Sequence, residues 1–278
     1  LTTTTNLSYQ DTIIICNTWI NYRIEIADAT GCTSVSNVDG DQFFDVNVPL
    51  SAIIDTVSVD AAGLAAVSWI LSSSPDVTGY IIYQNIGGFW QAIDTVWSTS
   101  STFYTNPLSN AMNADEQYAI SAIDSCGNVS PQSNYHRTIH LQKVYNQCAK
   151  SVYLHWNYYT GWNVNAYEIY QSINAGAYTL MNTNAGNDTT FTQAGLTSGN
   201  NYCYLVVAKG TGKTSSSNRQ CFTSSYPAQP AFSYMKSVSV VSENQVTINT
   251  WQDISVSAKE YRMERSDNGG STYYTIGN

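Results

Sequence analysis

Short apolar runs, some alternating with polar residues at a period of two, recur along this chain between turn signals, and no stretch shows helical periodicity. Residues 20–26 (Ile-Asn-Tyr-Arg-Ile-Glu-Ile) show the pattern most cleanly. Such alternation marks a half-buried β-strand. Further short strands are expected at 12–16 and 33–38, then at 53–59, 64–70, 79–84, 90–96, 118–122 and 133–141. A further set falls at 152–156, 166–171, 178–181, 203–208 and 217–222, and a last one at 246–250 and 261–265. Turn chemistry separates them: Asp28-Ala-Thr-Gly-Cys32, Gly87-Gly88, Asp124-Ser-Cys-Gly-Asn128 and Asp267-Asn-Gly-Gly270.

The strand sets repeat. Trp156 is followed eleven residues later by Tyr167 in a Tyr-Glu-Ile-Tyr run, and Trp69 stands in the same relation to Tyr80 in Tyr-Ile-Ile-Tyr. The two blocks lie 87 residues apart, too long a period for a solenoid and the right length for a small β-sandwich. The expected fold class is therefore all-β, an elongated array of tandem immunoglobulin-like sandwiches. Residues 1–48 read as the C-terminal half of one sandwich, 49–142 and 143–225 as two complete ones, and 226–278 as the N-terminal half of another. The sequence reads as a window cut from a longer chain.

Composition narrows the biology. Charged residues make up 11% of the 278, against roughly 25% in an average globular protein, and Asn, Ser, Thr and 21 Tyr take their place. A net charge of −9, with the 11 basic residues forming no run, argues against nucleic acid and against an anionic membrane surface. No apolar run reaches the roughly 20 residues of a membrane-spanning helix, so direct membrane insertion is not expected. Six cysteines without a Cys-x-x-Cys pair point to disulfides and an oxidising compartment.

Trp69 and Trp156 alternate with inward-facing Val67 and Leu154 and read as core. Trp162 differs: it follows Gly161 in the loop after the Trp156 strand, beside Tyr158 and Tyr159. These three aromatics are the candidate binding residues, able to stack on a sugar or a protein partner, with Trp162 capping its own sandwich as the plainer alternative. Cys203 and Cys221 flank the Gly210–Gly212 turn on neighbouring strands, within disulfide reach, and a bond between them is expected. Cys16, Cys32, Cys126 and Cys148 have no settled connectivity. Cys16–Cys32 with Cys126–Cys148 follows sequence proximity, while Cys16–Cys126 would join one sandwich to the next.

Other motifs carry less. Gly210-Thr-Gly-Lys-Thr214 mimics a phosphate loop, but Val207 occupies the place of the first glycine and a strand follows instead of a helix. Asp39, Asp41 and Asp45 lack the bidentate glutamate of a calcium loop and read as a solvated turn. His136 and His140, four apart on a strand, stand about 13 Å from each other. No serine or cysteine sits in an activating motif. Neither catalytic residues nor a metal or other cofactor is expected.

Trp156, Tyr167, Leu196 and the run Tyr202-x-Tyr204-x-Val206-x-Ala208 resemble a fibronectin type III domain, in which the second-strand Trp and third-strand aromatic form the core and Tyr202 would pin a corner. At the corresponding positions the preceding repeat has Glu116 for the corner tyrosine, and the last has Thr250 for the tryptophan, with Trp251 one residue on. A narrower likeness rests on Asp124-Ser-Cys-Gly-Asn-Val-Ser130, His136-Arg-Thr-Ile-His-Leu141, Trp156-x-x-Tyr-x-Gly-Trp162, Tyr202-Cys-Tyr204 and Ser217-Asn218. These motifs resemble the sandwich arrays of gliding motility-associated proteins of Bacteroidota. That resemblance implies export by the type IX secretion system and an extracellular or outer-surface location. It also implies a non-enzymatic role as stalk, adhesin or filament module, with other domains of the chain, surface or secretion-machinery proteins, or glycans as partners. A carbohydrate- or protein-binding module, or the accessory array of a secreted hydrolase, is the alternative.

Overall fold

A computed structural model describes residues 8–11, 13, 16, 18–226, 230–256 and 260–277, and all regular structure among them is β. The chain divides into two units, one formed by Leu1–Asn146 with Lys150–Ser224 and the other by Gln147–Ala149 with Ser225–Asn278.

The first unit opens with an N-terminal segment of two hairpin-like pairs. Strand β1 (Thr18–Tyr22) pairs with β4 (Asp39–Phe43), and β2 (Glu25–Ala27) pairs with β3 (Thr33–Val35). The single strand expected over 20–26 is thus broken in two. Its cause is local: Ile24 N–H donates to Ser36 Oγ at 2.9 Å and Ile24 O accepts Ser36 N–H at 2.9 Å, so a side chain interrupts the ladder. Trp19, Ile24, Ile26 and Val35 lie exposed rather than half-buried, because no second sheet covers them among the described residues. The strand expected at 12–16 falls mostly outside those residues.

The first sandwich packs a three-stranded sheet, β5 (Ile53–Val59), β6 (Ala65–Ile70) and β9 (Phe103–Thr105), on a second sheet. That second sheet runs in the order β11 (His136–Arg137), β10 (Gln117–Asp124), β7 (Val77–Ile86), β8 (Phe89–Val96). The second sandwich repeats the plan. Strands β12 (Leu141–Asn146) and β13 (Ser151–Trp156) form one sheet with β16 (Thr190–Gln193). Facing it, β14 (Ala166–Ile173) lies between β15 (Thr179–Ala185) and β17 (Asn201–Lys209), and β17 also pairs with β18 (Thr214–Ser216) and β19 (Gln220–Thr223).

Each core is built on the same Trp–Tyr pair. Trp69 and Tyr80 have ring centroids 5.4 Å apart, and Trp156 and Tyr167 5.6 Å apart, all four buried. The hydroxyl of each tyrosine accepts the backbone N–H three residues after the tryptophan: Ser72 to Tyr80 at 3.2 Å, Tyr159 to Tyr167 at 2.9 Å. A buried phenol needs such a partner, and here it fixes where the loop leaves the sheet. Beside this pair an amide–phenol network recurs, Gln84–Asn106–Tyr118 in the first sandwich and Gln171–Gln193–Tyr204 in the second.

The corner tyrosine is where the two diverge. Tyr202 Oη accepts the Thr197 N–H at 2.8 Å. In the first sandwich buried Glu116 accepts the Asn110 N–H, the Ser109 and Tyr118 hydroxyls and the Gln84 amide, at 2.7 to 3.0 Å. A carboxylate saturated by four donors does the work of one phenol.

Two further devices are shared. Asp28, Asp60 and Asp124 each open a five-residue turn in which the carboxylate accepts the N–H groups two and four residues on. The fourth residue is a glycine at φ +89, +85 and +83°, a conformation open to glycine at no steric cost. The serine clip seen at Ile24–Ser36 recurs as Ala122–Ser130 and Val206–Ser217.

The expected closing strand at 133–141 shrinks to His136–Arg137. Ile139 and Leu141 instead belong to the second core, and Asn218 Oδ1 accepts the Leu141 N–H at 2.6 Å. The sandwiches follow one another without a linker.

In the second unit, β20 (Ser233–Ser242) pairs with β21 (Gln245–Gln252), and β22 (Met263–Arg265) with β23 (Tyr274–Gly277).

Candidate functional site: the joint between the two sandwiches

Strand β5 is an edge strand, and an open edge leaves N–H and C=O groups without ladder partners. At Val57 both are taken up by side chains of the second sandwich. The Val57 N–H donates to Tyr159 Oη at 3.2 Å, and Ser215 Oγ donates to Val57 O at 2.7 Å. Next to them the Ser216 N–H donates to Ser58 Oγ at 2.9 Å, and Arg219 donates to Ala61 O at 3.2 Å. Lys213 pairs with Asp55 at 2.9 Å at the rim.

Tyr159 is the centre of this joint. Its hydroxyl also meets His136 Nδ1 at 2.9 Å, and the two rings stand edge to face. Trp162 packs on Tyr159 with centroids 4.3 Å apart and donates Nε1–H to Thr56 Oγ1 at 3.3 Å. Gly161, at φ +146°, lies against the His136 ring, where a Cβ would overlap it. A Cβ on Gly210 would come within 2.6 Å of the Trp162 ring. The loop is thus moulded around two aromatic rings, with glycines where rings pass close to backbone.

The joint fixes protonation states. Burial, with Lys213 nearby, pushes His136 down to about 4, opposed in part by Asp55. The imidazole is therefore neutral at neutral pH, Nδ1 can accept the Tyr159 O–H, and the phenol oxygen is left to accept from Val57. Burial raises Tyr159 itself, which keeps it a phenol.

The candidate binding trio does not form an exposed platform. Tyr159 is 5% exposed and Trp162 half-buried, both spent on the joint. Tyr158 alone is open, at 50%, with its hydroxyl donating to Asn187 O. The sequence signal available was that Tyr158, Tyr159, Gly161 and Trp162 have no counterpart in the first sandwich, where Ser72-Ser-Ser-Pro75 stands. What the sequence did not show is that a neighbouring sandwich, rather than a ligand, occupies the loop. Ser215, Ser58 and Val57 carried no signal at all.

Residues 140–219 match the family of PBP1-like, fibronectin3-like domains. That stretch is the second sandwich. Among solved structures, the FN1–FN3 domains of chicken CNTN1 are similar at 15% identity, covering 76% of each chain, with a TM-score of 0.28. A two-domain fibronectin type III segment of chicken tenascin is similar at 14% identity, over 64% of this chain and all of the other, also at 0.28. No curated protein matches the chain.

Cys203 and Cys221 face each other across β17 and β19 and form a disulfide with Cα atoms 4.0 Å apart. Cys16 and Cys126 form a second, tying the N-terminal segment to the first sandwich, with Cα atoms 5.1 Å apart. Of the open pairings, Cys16–Cys32 and Cys126–Cys148 are overturned: Cys32 and Cys148 are exposed free thiols. Cys32 and Cys126 occupy the same kind of turn at different positions, fifth and third, and Cys126 is the one bonded to Cys16. Asp45, Asp124 and Cys126 converge, but the Cys126 sulfur is already bonded and Asp124 is committed to its turn. The Asp39, Asp41 and Asp45 carboxylates each bond nearby backbone N–H groups. His140 lies beyond β11, its imidazole pushed down by burial with His155 close enough to add to the effect; His155 stacks on Tyr153 at 5.5 Å, and His136 stands apart in the joint.

Proposed function

We propose that this chain is a non-enzymatic spacer segment of a large secreted or cell-surface protein, working as stalk, adhesin or filament module outside the cell. The observation that carries this reading is the capped edge at Val57. Two backbone groups of one sandwich are satisfied by side chains of the next, across a join with no linker, so the pair is built to hold one orientation. Two sandwiches held in one orientation, with charged residues only 11% of the chain, suit transmission of force or reach. The motif likeness to gliding motility-associated proteins supports delivery by type IX secretion and work at the surface of a gliding bacterium.

Residual dipolar couplings test the first part. Measured on the whole chain, the two sandwiches are expected to share one alignment tensor; two independent tensors would sink the spacer reading. Protease shaving of intact cells tests the second. The protein should be cleaved at the surface of secreting cells and stay protected in cells lacking the type IX machinery; equal protection in both would refute the placement.

A further inference from the structure

We infer that the outer face of the β20–β21 hairpin is a saccharide-binding strip built on Phe232, Tyr234 and Trp251. Cross-strand partners share a face, and the register sorts this hairpin into two. One face carries Met235, Val238, Val240, Val246, Ile248 and Thr250, the apolar set that corresponds to the core side of β12–β13. The other carries Tyr234, Ser237, Ser239, Thr247, Asn249 and Trp251. A bulge at Lys236 keeps the two sets apart, and Asn249 Nδ2 donating to Ser237 Oγ at 2.9 Å confirms their common face.

In both complete sandwiches the tryptophan closes the buried set. Here it stands one residue later, and a shift of one on a strand moves a side chain to the opposite face. Trp251 is therefore not a core anchor left uncovered. On the outer face it meets Tyr234, and Tyr234 meets Phe232, each with centroids 6.0 Å apart; the three rings are 53%, 50% and 43% exposed. At the end of the hairpin a groove is lined by Phe232 and Trp251 together with Thr250 and Gln252 of the opposite face and the turn residues 253–255.

The chemistry around the rings selects the ligand. An aromatic face is the negative lobe of a quadrupole, and the axial C–H groups of a pyranose present the positive complement. Three rings at steps of 6.0 Å offer successive stacking positions rather than one pocket. Hydroxyl and amide groups of Ser237, Ser239, Thr247 and Asn249 border the strip, matching sugar hydroxyls. The Asp253 carboxylate is held at one end by the Ala231 and Ser255 N–H groups, and Lys236 lies over Trp251 at 5.9 Å. One charge of each sign leaves the strip neutral overall, which favours a neutral oligosaccharide over a polyanion.

The test titrates the whole chain with cellohexaose, xylohexaose, mannohexaose and chitohexaose, and separately with decaproline, following the indole N–H signals and the backbone amides of β20–β21 by NMR. At least one hexasaccharide should shift the Trp251 signal. W251A and Y234A should each weaken binding about three- to tenfold while amide dispersion is unchanged. W251F, which keeps a ring, should retain most of the affinity. Saturable binding that survives the W251A/Y234A double variant would overturn the proposal. So would silence with all four sugars, a Trp251 shift from decaproline alone, or loss of the hairpin fold in both W251A and W251F.

Discussion

Tyr159 shows how much one hydroxyl carries. It accepts from Val57, is matched to His136 and supports the Trp162 ring. Tyr159→Phe keeps the ring packing and strands a buried backbone N–H, which costs on the order of 1–3 kcal/mol. Urea unfolding should show that loss as a lower midpoint at unchanged slope. A loss no larger than that of Tyr158→Phe would contradict the assigned role. His136 adds a pH dependence whose sign follows from its depressed pKa. The unfolded chain takes up the proton near 6.5, the folded one near 4. The stabilisation is thus complete above about pH 6.5 and is lost as pH falls towards 4, by up to about 3 kcal/mol. Protonation also turns the Nδ1 acceptor into a donor facing a phenol that already accepts from Val57. Stability measured from pH 7.5 to 4 should fall less steeply in His136→Gln than in the wild type; parallel curves would remove His136 from the joint.

At the scale of elements, β17 and β19 are the clearest dependent pair. The ladder puts Cys203 opposite Cys221, and their disulfide closes a loop of 18 residues. Chain entropy gives such a closure about 3 kcal/mol. Cys203→Ala/Cys221→Ala should lower the stability of the second sandwich by roughly that amount; a loss under about 1 kcal/mol would place the bond's contribution elsewhere. This pair was legible in sequence because both cysteines flank one short turn on alternating strands. The Trp–Tyr anchors were legible for the same reason: periodicity and spacing are local. The serine clip that cuts the 20–26 strand was not, since an alternating run looks the same with or without a side chain entering its ladder. Nor was the short β11, because Ile139 and Leu141 alternate just as well whichever core they fill. Aromatic identity drew attention to the loop 158–162 and left open what it touches. What a loop touches depends on a second domain whose placement no local pattern records.

For the whole molecule the question is whether two sandwiches behave as one body. The rim ion pair cannot decide it: Lys213 and Asp55 are each about a third exposed, and such pairs contribute roughly 0–1 kcal/mol. The buried caps on Val57 are different, because removing the two hydroxyls strands both backbone groups of the β5 edge while the Tyr159 ring stays in the second core. Asp55→Asn should therefore leave calorimetric unfolding almost unchanged. Tyr159→Phe/Ser215→Ala should separate a single transition for the two sandwiches into two, the first sandwich melting earlier because its edge has lost its cover. The uncapped edge is also a template for another chain, so the double variant should self-associate at concentrations where the wild type stays monodisperse by light scattering. A double variant that melts in one unshifted transition and remains monodisperse would mean that the sandwiches are merely adjacent. A split transition with new self-association would mean that the second sandwich is the structural cover of the first, and that successive members of such an array are stable only in company.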